Sequence, residues 1–457
     1  MKQVTELRLK SESMLEGPLL PNIIRYTIPI ILTSLLQLMF NAADLVVVGR
    51  FCGSVSVAAV GATGSITNLI VNLFIGLSVG AGVCVAHAYG ERDAQAAHRT
   101  VHTALLTALV GGVVLSVVGI SCSKMFLRMM GTPENVLKLS SLYMKIYFGG
   151  MIFSMVYNFC ASILRAAGDT KSPLVFLSIS GVVNVVLNVI FVTVFHMNVA
   201  GVALATIISQ AVSAALVVLA LMKRDDACRL DPRKLRFHKA QFFKMIRIGL
   251  PAGIQGSLFS ISNVLIQSSI NSFGDVFMSG NAAAGNIEGF AYVCINAFSQ
   301  ASVNFVGQNA GAKQYDRVKK TVVACLGCVL VVGIAVGLLF YVFAEQLLSI
   351  YITDSMEAIS YGVTRMGFIC LTYFICGLMD SLTGGLRGLG ASMAPMVICI
   401  LGVCVFRVGW IYTIFQIPQY HTPQCLYLSY PISWLITFVF ELIAFIVVYK
   451  KRVKSLS

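Results

Sequence analysis

Residues 164–173 read LRAAGDTKSP and residues 386–395 read LRGLGASMAP. Arg165 and Gly168 in the first stretch answer to Arg387 and Gly390 in the second, and Pro173 answers to Pro395, each pair 222 positions apart. The same offset relates Pro29 in YTIPI to Pro251 in IGLPA, and Asn41 to Asn263. Gly90 in AYGERDA matches Gly311 in NAGAKQY at 221. A fixed offset sustained over most of the chain is an internal duplication, so the fold consists of two copies of one unit.

The composition says what each copy is made of. Of 457 residues, 57% are hydrophobic and 11% charged, with a mean hydropathy of +0.84. A soluble domain carries roughly 45–50% apolar and about 25% charged residues, which excludes a water-soluble globule. Apolar runs at about 24–48, 56–87, 99–121, 138–160, 173–195 and 200–222 fill the first copy, and runs at about 243–272, 279–308, 319–342, 358–381, 394–416 and 425–449 fill the second. Each is at least as long as the roughly 20 residues a membrane-crossing helix needs. The expectation is an all-α polytopic membrane protein of twelve transmembrane helices in two pseudo-symmetric six-helix bundles, residues 1–222 and 243–457, joined by a cytoplasmic linker at 223–242 and facing a central cavity. An even number of spans per copy makes the repeat parallel, related by an axis along the membrane normal.

Basic residues set the orientation. With the N-terminus inside, 26 of the 33 Lys and Arg fall on inner segments, among them Lys2, Arg8 and Lys10 in the polar stretch to about residue 20, and the run from Lys223 to Arg247. Both termini are expected in the cytoplasm of a multi-pass protein of the cytoplasmic membrane, and the first span, too long for a signal core, is expected to stay. The same asymmetry accounts for the net charge of +14 without nucleic acid. The thirteen cysteines lie mostly within apolar runs, as reduced packing residues rather than a disulfide framework.

An ionisable or strongly polar side chain inside a span is costly and therefore a functional candidate. Asp44 stands about twenty residues into the first span, and Gln37, Asn41 and Asp44 at i, i+4 and i+7 share one helical face. Either Asp44 takes up a proton or cation within the first bundle, or it reaches water and pairs with Arg50 near the outer mouth. Asn184 and Asn188 lie one turn apart in the fifth span, with Thr206 in the sixth. With Asp44 they form a set of hard oxygen donors suited to a small cation such as Na⁺; interhelical hydrogen bonding is the alternative for each Asn. In the second copy Ile266 replaces the carboxylate. There Glu288, Tyr292, Asn296 and Gln300 recur at steps of four and continue to Asn304 and Gln308, which with Asn263 and Gln267 is read as a cavity wall. Glu288 is a second candidate coupling or substrate group. Asp380, Arg365 and Arg407 are read as local ion pairs or interfacial groups, and Glu441 as snorkelling or pairing near the cytoplasmic face. No phosphate-binding loop, H-E-x-x-H or G-x-S-x-G occurs, so no enzyme and no cofactor beyond a transported ion is expected.

The duplicated LRAAGDTKSP and LRGLGASMAP segments, NAADLVVVGR at 41–50 and FVGQNAGAKQYDRVKK at 305–320 closely resemble the MATE (multidrug and toxic compound extrusion) family, over about residues 20–450. The resemblance implies a monomeric V-shaped transporter that exchanges incoming H⁺ or Na⁺ for an outgoing amphipathic, cationic or neutral small molecule, with membrane lipid as its other partner. It implies coupling at Asp44, with Asn184, Asn188, Thr206 and Tyr143 beside it. The chain departs from the family where some members carry Asp in place of Asn188, and where others carry a seventh-span Glu that AGIQGSLFSIS at 252–262 lacks. The rival reading is a flippase for lipid-linked oligosaccharide or similar lipid-like cargo. Such a protein is expected to line its cavity with Arg and Lys, and only Lys145, Arg365 and Arg407 lie within spans.

Overall fold

The computed structural model describes residues 12–353 and 355–454, and among these there are helices and no strands. Lys2, Arg8 and Lys10, which contribute to the orientation argument, lie outside the described residues. Twelve long helical runs follow one another. In the first half they are α1 (Leu19–Phe51), α2 (Ser54–Gly90), α3 (Ala94–Met129), α4 (Glu134–Gly149 continued by Met151–Ala166), α5 (Lys171–Val194) and α6 (Asn198–Met222). The second half comprises α7 (Lys239–Asn271), α8 (Asp275–Gly311), α9 (Tyr315–Val342), α10 (Met356–Gly388), α11 (Met393–Gln416) and α12 (Pro423–Lys454). Nine of these are long and apolar enough to cross a membrane, and α4, bent by 48° at Gly150, makes a tenth. The other two, α7 and α8, are 33 and 37 residues long; their apolar character is diluted by the Asn and Gln residues noted in the sequence.

The helices gather into two compact units, residues 32–253 and residues 14–31 with 254 onward. The division falls inside the first helix of each half and not in the basic connection. α1 passes from one unit to the other between Ile31 and Leu32, and α7 does so between Gly253 and Ile254, positions again 222 apart. Each crossing comes just after an in-helix proline, Pro29 or Pro251. Proline removes one helical hydrogen bond and crowds the preceding turn, which makes these the natural points for a helix to change its packing partners.

Close packing holds the first turns of α7 in the first unit. Gly76 and Gly80 on α2 meet Gly253 and Gly249 on α7, each pair spaced by four. A Cβ added at Gly76 would lie 2.1 Å from the Gly253 nitrogen, and one added at Gly80 would lie 2.3 Å from the Met245 carbonyl. Small residues at this spacing let two helix backbones touch. In the second unit the start of α1 is held by bulk instead: Ile23, Tyr26 and Ile30 pack with Phe298, Ala301 and Phe305, and Tyr26 meets Phe305 edge-on at 5.3 Å. Arg317 secures the residues before α1, donating to the carbonyls of Met14, Glu16 and Gly17 at 3.2, 2.9 and 3.1 Å.

Between α6 and α7 the chain lies on the first unit. The Arg224 Nε donates to both Asp226 oxygens at 3.0 and 2.9 Å, and the Tyr89 hydroxyl donates to Asp226 Oδ2 at 2.9 Å. Farther along, the Asp231 N–H donates to His102 Nε2 at 3.2 Å while His102 Nδ1 bonds the His98 carbonyl at 2.7 Å. Two π-helical stretches, Ile190–Val194 within α5 and Ile400–Val405 within α11, interrupt the α-helical pattern.

Candidate functional site: a carboxylate and amide relay in the first unit

The α1 carboxylate meets α5. Asn188 Nδ2 donates to Asp44 Oδ1 and also to Asn184 Oδ1 at 3.2 Å, Asn184 Nδ2 donates to Thr206 Oγ1 on α6 at 3.5 Å, and Thr206 Oγ1 donates to the Val202 carbonyl at 2.9 Å. One polar chain therefore runs from α1 through two turns of α5 to α6. The 3.6-residue repeat puts Asn184 and Asn188 one above the other, which is why their amides bond each other. Asn188 has no exposed surface and Asn184 almost none, whereas Asp44 is half-buried. Asn188 Oδ1 is buried and has no partner. The π-helical stretch of α5 begins two residues after Asn188; such local widenings recur at functional sites.

Tyr143 on α4 packs against a cluster formed by Val47, Val48, Val192 and Val202, flanking the relay. Its ring stacks on Tyr147 with centroids 6.2 Å apart, and both phenols are within electrostatic range of Asp44. Tyr147, which bonds Gln210 on α6, escaped the sequence reading because an aromatic four residues from another aromatic reads as packing. No salt bridge joins Asp44 to Arg50 among the described residues, and Gln37 and Asn41, expected on the Asp44 face, are exposed. Ile266, the counterpart of Asp44, is 1% exposed within an apolar cluster, so the two units are chemically unequal.

In the second unit the candidates separate. Glu288 on α8 is bound bidentately by Arg365 on α10, Nε to Oε1 at 2.8 Å and Nη2 to Oε2 at 2.7 Å. Arg365 Nη1 donates to Asn281 Oδ1 at 2.7 Å, which also accepts from the Tyr427 hydroxyl at 3.1 Å. Glu288 is thus a paired carboxylate rather than a free lining group. The four-step stripe is not a continuous wall either. Each step of four overshoots the helical turn by about 40°, so the stripe turns by roughly 200° from Glu288 to Gln308, and Glu288, Asn304 and Gln308 end up buried. Its middle is open: Tyr292 is exposed, Asn296 and Gln300 are half-buried. The Tyr292 hydroxyl and Asn296 Nδ2 both reach Asp380 Oδ2, at 3.3 and 3.4 Å. On α7, Asn263 is exposed, and Gln267, also exposed, donates to Asn271 at 2.9 Å.

Two expectations about charge are corrected. Glu441 does not snorkel: it has no exposed surface and bonds Thr383 and Cys399 inside the bundle, because a carboxylate four turns from the helix end is too short to reach the interface. Arg407 forms no ion pair among the described residues; its Nε donates to Ser433 at 2.9 Å and the guanidinium lies over Tyr430 and Trp434, 4.2 and 5.5 Å from the ring centroids. Aromatic faces attract a buried cation.

The MatE family profile matches residues 29–190 and again 251–413, so the two matches begin 222 residues apart, at the two prolines. The chain is 27% identical over 401 residues to a "Probable multidrug resistance protein YpnP" of Bacillus subtilis, covering 87% of this chain and 89% of that protein. It is 23% identical over 348 residues to a protein named "FAD transporter" from Shewanella oneidensis, covering 75% and 76%. Among solved structures it superposes with a TM-score of 0.89, 21% identity and coverage of 96% and 99% on an outward-facing multidrug resistance MATE family transporter of the MOP superfamily, a likeness of fold.

Proposed function

Because the chain belongs to the MatE family, whose members are transporters and not enzymes, we propose that it is a cation-coupled antiporter. It takes up H⁺ or Na⁺ at Asp44 and exports an amphipathic small molecule, cationic or neutral, across the cytoplasmic membrane as a monomer with both termini inside. The observation that carries this reading is the hydrogen-bonded chain from Asp44 through Asn188 and Asn184 to Thr206.

The relay serves both states of the carboxylate. An ionised Asp44 accepts from Asn188 Nδ2. A protonated Asp44 is itself a donor and needs an acceptor, which the unpartnered Asn188 Oδ1 provides once the amide turns over. Reversing Asn188 takes its NH₂ away from Asn184 Oδ1 and turns its oxygen there instead, so the Asn184 amide reverses in step, giving its NH₂ to Asn188 Oδ1 and its Oδ1 to the Thr206 hydroxyl. Protonation of α1 is thereby felt on α6 without any charged partner. For Na⁺ the same side chains supply the oxygens: the Asp44 carboxylate, the two amide carbonyls and the Thr206 hydroxyl, hard donors with one negative charge to match one cation.

Drug efflux from proteoliposomes under an imposed pH or Na⁺ gradient tests the reading. Asp44→Asn keeps the volume and an acceptor for Asn188 but removes the titratable, charged group; it is expected to lose gradient-driven efflux while still binding cargo in a thermal-shift assay. Unimpaired gradient-driven efflux in the variant overturns the proposal, and whichever gradient drives the wild type identifies the ion. The relative named for FAD makes that dinucleotide a useful addition to the cargo molecules tested.

A further inference from the structure

Glu441 on α12 has no part in the relay and no exposed surface. Its Oε1 accepts from Thr383 Oγ1 on α10 at 2.7 Å and from Cys399 Sγ on α11 at 3.2 Å, and its Oε2 has no partner. Both donors are uncharged. A buried ionised carboxylate without a cation costs several kcal/mol, so the corner suits a neutral acid and leaves room for one more donor.

The surroundings supply that donor. Asp380, Thr383 and Arg387 stand at i, i+3 and i+7 on one face of α10. Arg387 gives Nη2 to Gln255 Oε1 on α7 at 2.7 Å, while its Nε is buried and unpartnered. Asp380 and Arg387 from α10 and Cys399 from α11 are the titratable groups that act on Glu441, and Arg407, farther along α11, is turned to its aromatic rings. The π-helical stretch of α11 starts directly after Cys399, and within it Gly402 packs so tightly on Thr437, one turn before Glu441, that an added Cβ would lie 2.3 Å from Thr437 Oγ1. Such widened turns cluster at functional sites.

We propose that Glu441, held by Thr383 and Cys399 at the junction of α10, α11 and α12, is a second proton-binding site, with Arg387 as its counter-ion when the proton has left. In the protonated state Arg387 is bound to Gln255. When Glu441 gives its proton to water, the guanidinium turns its free Nε to Oε2 and loosens its hold on Gln255, two residues beyond the point where α7 leaves the first unit. This reading rests on the proton-coupled form of the proposed function.

Infrared spectroscopy of the purified full-length protein, titrated in pH, reads the carboxylic C=O band directly, and efflux from proteoliposomes under a pH gradient reads coupling. The wild type is expected to show a titrating band that Glu441→Gln loses and Glu441→Asp retains at a shifted position. Glu441→Gln is also expected to move fewer protons per cargo molecule than the wild type. Thr383→Val, which removes one donor and no carboxyl group, moves the same band and guards against a variant that fails to fold. A band unchanged in Glu441→Gln overturns the site while leaving Asp44 coupling intact. A band lost in Glu441→Gln, with no response of the wild type to a pH gradient, upholds the site and overturns proton coupling.

Discussion

The Glu288–Arg365 pair decides whether the second unit's most conspicuous carboxylate couples transport or only holds helices together. The side chains are 4% and 11% exposed and share two hydrogen bonds of 2.7 and 2.8 Å. Arg365→Met strands Glu288 as a buried charge with no cation, a loss of about 3–5 kcal/mol. At roughly 2–4 °C per kcal/mol for a unit of this size, that lowers the melting temperature in detergent by on the order of 10 °C. Glu288→Gln costs less, about 3 kcal/mol, because the amide oxygen still accepts one bond and Asn281 still accepts from Nη1. The double variant Glu288→Met with Arg365→Met removes both charges and fills the space; replacing a buried pair by apolar residues of similar volume is close to neutral, so its melting temperature is expected to return to within a few degrees of the wild type. The informative readout is gradient-driven efflux in that double variant. If the pair is a strut between α8 and α10, efflux recovers along with stability. A stable double variant that no longer responds to the gradient would refute the structural reading and make Glu288 a coupling group.

Two further outcomes test the packing and the connection between α6 and α7. Gly76→Ala and Gly253→Ala each gain about 1 kcal/mol of helix propensity but drive a methyl group into backbone at 2.1 and 2.2 Å, an overlap worth about 3 kcal/mol; each should destabilise by about 2 kcal/mol, whereas Gly64→Ala on the same α2, with nothing within 4 Å, should be neutral or stabilising in the same thermal assay. Since both methyl groups part the same two backbones, the double variant should cost less than the sum, and additive losses would count against the contact. Burial first, and then the adjacent Asp226 carboxylate, push the Cys228 thiol up to about 12, so raising the pH from 7 to 9 should turn exposed thiols to thiolate and leave Cys228 unalkylated by maleimide in peptide mass spectra. Asp226→Asn, which loosens Arg224 and Tyr89, should expose it; rapid labelling in the native protein would show that the connection is not docked.

How much of this was legible in the sequence follows from the range of each signal. The twelve helices and the 222-residue repeat were legible because apolar length and a fixed offset are properties of the chain itself. The Asp44 relay was legible because two of its members stand one helical turn apart, and because a carboxylate in an apolar run is conspicuous on cost alone. Glu288 stands out in the sequence but its pairing does not: its partner lies 77 residues away on another helix, and a linear pattern cannot tell a paired charge from a free one. Glu441 was misjudged for the converse reason, since its partners Thr383 and Cys399 read as packing residues.

The repeated prolines are the instructive intermediate case. Pro29 and Pro251 were matched as evidence of duplication, and the structure adds that α1 and α7 each change unit two residues later. The contacts that hold the two crossings differ, however. Gly76, Gly80, Gly249 and Gly253 bring α7 into backbone contact in one unit, while Tyr26 and Phe305 hold α1 by side-chain bulk in the other. The duplication has therefore preserved where each helix crosses, which needs only a proline, and has let the packing on either side diverge. The same divergence appears in the chemistry, where Asp44 faces amides in the first unit and its counterpart Ile266 is sealed in an apolar cluster in the second. Symmetric crossings with unequal sites mean that, under the coupling proposed at Asp44, an ion would act through one half of the duplicated frame alone, and it would shift a conformational equilibrium only by the difference in its affinity for the two states.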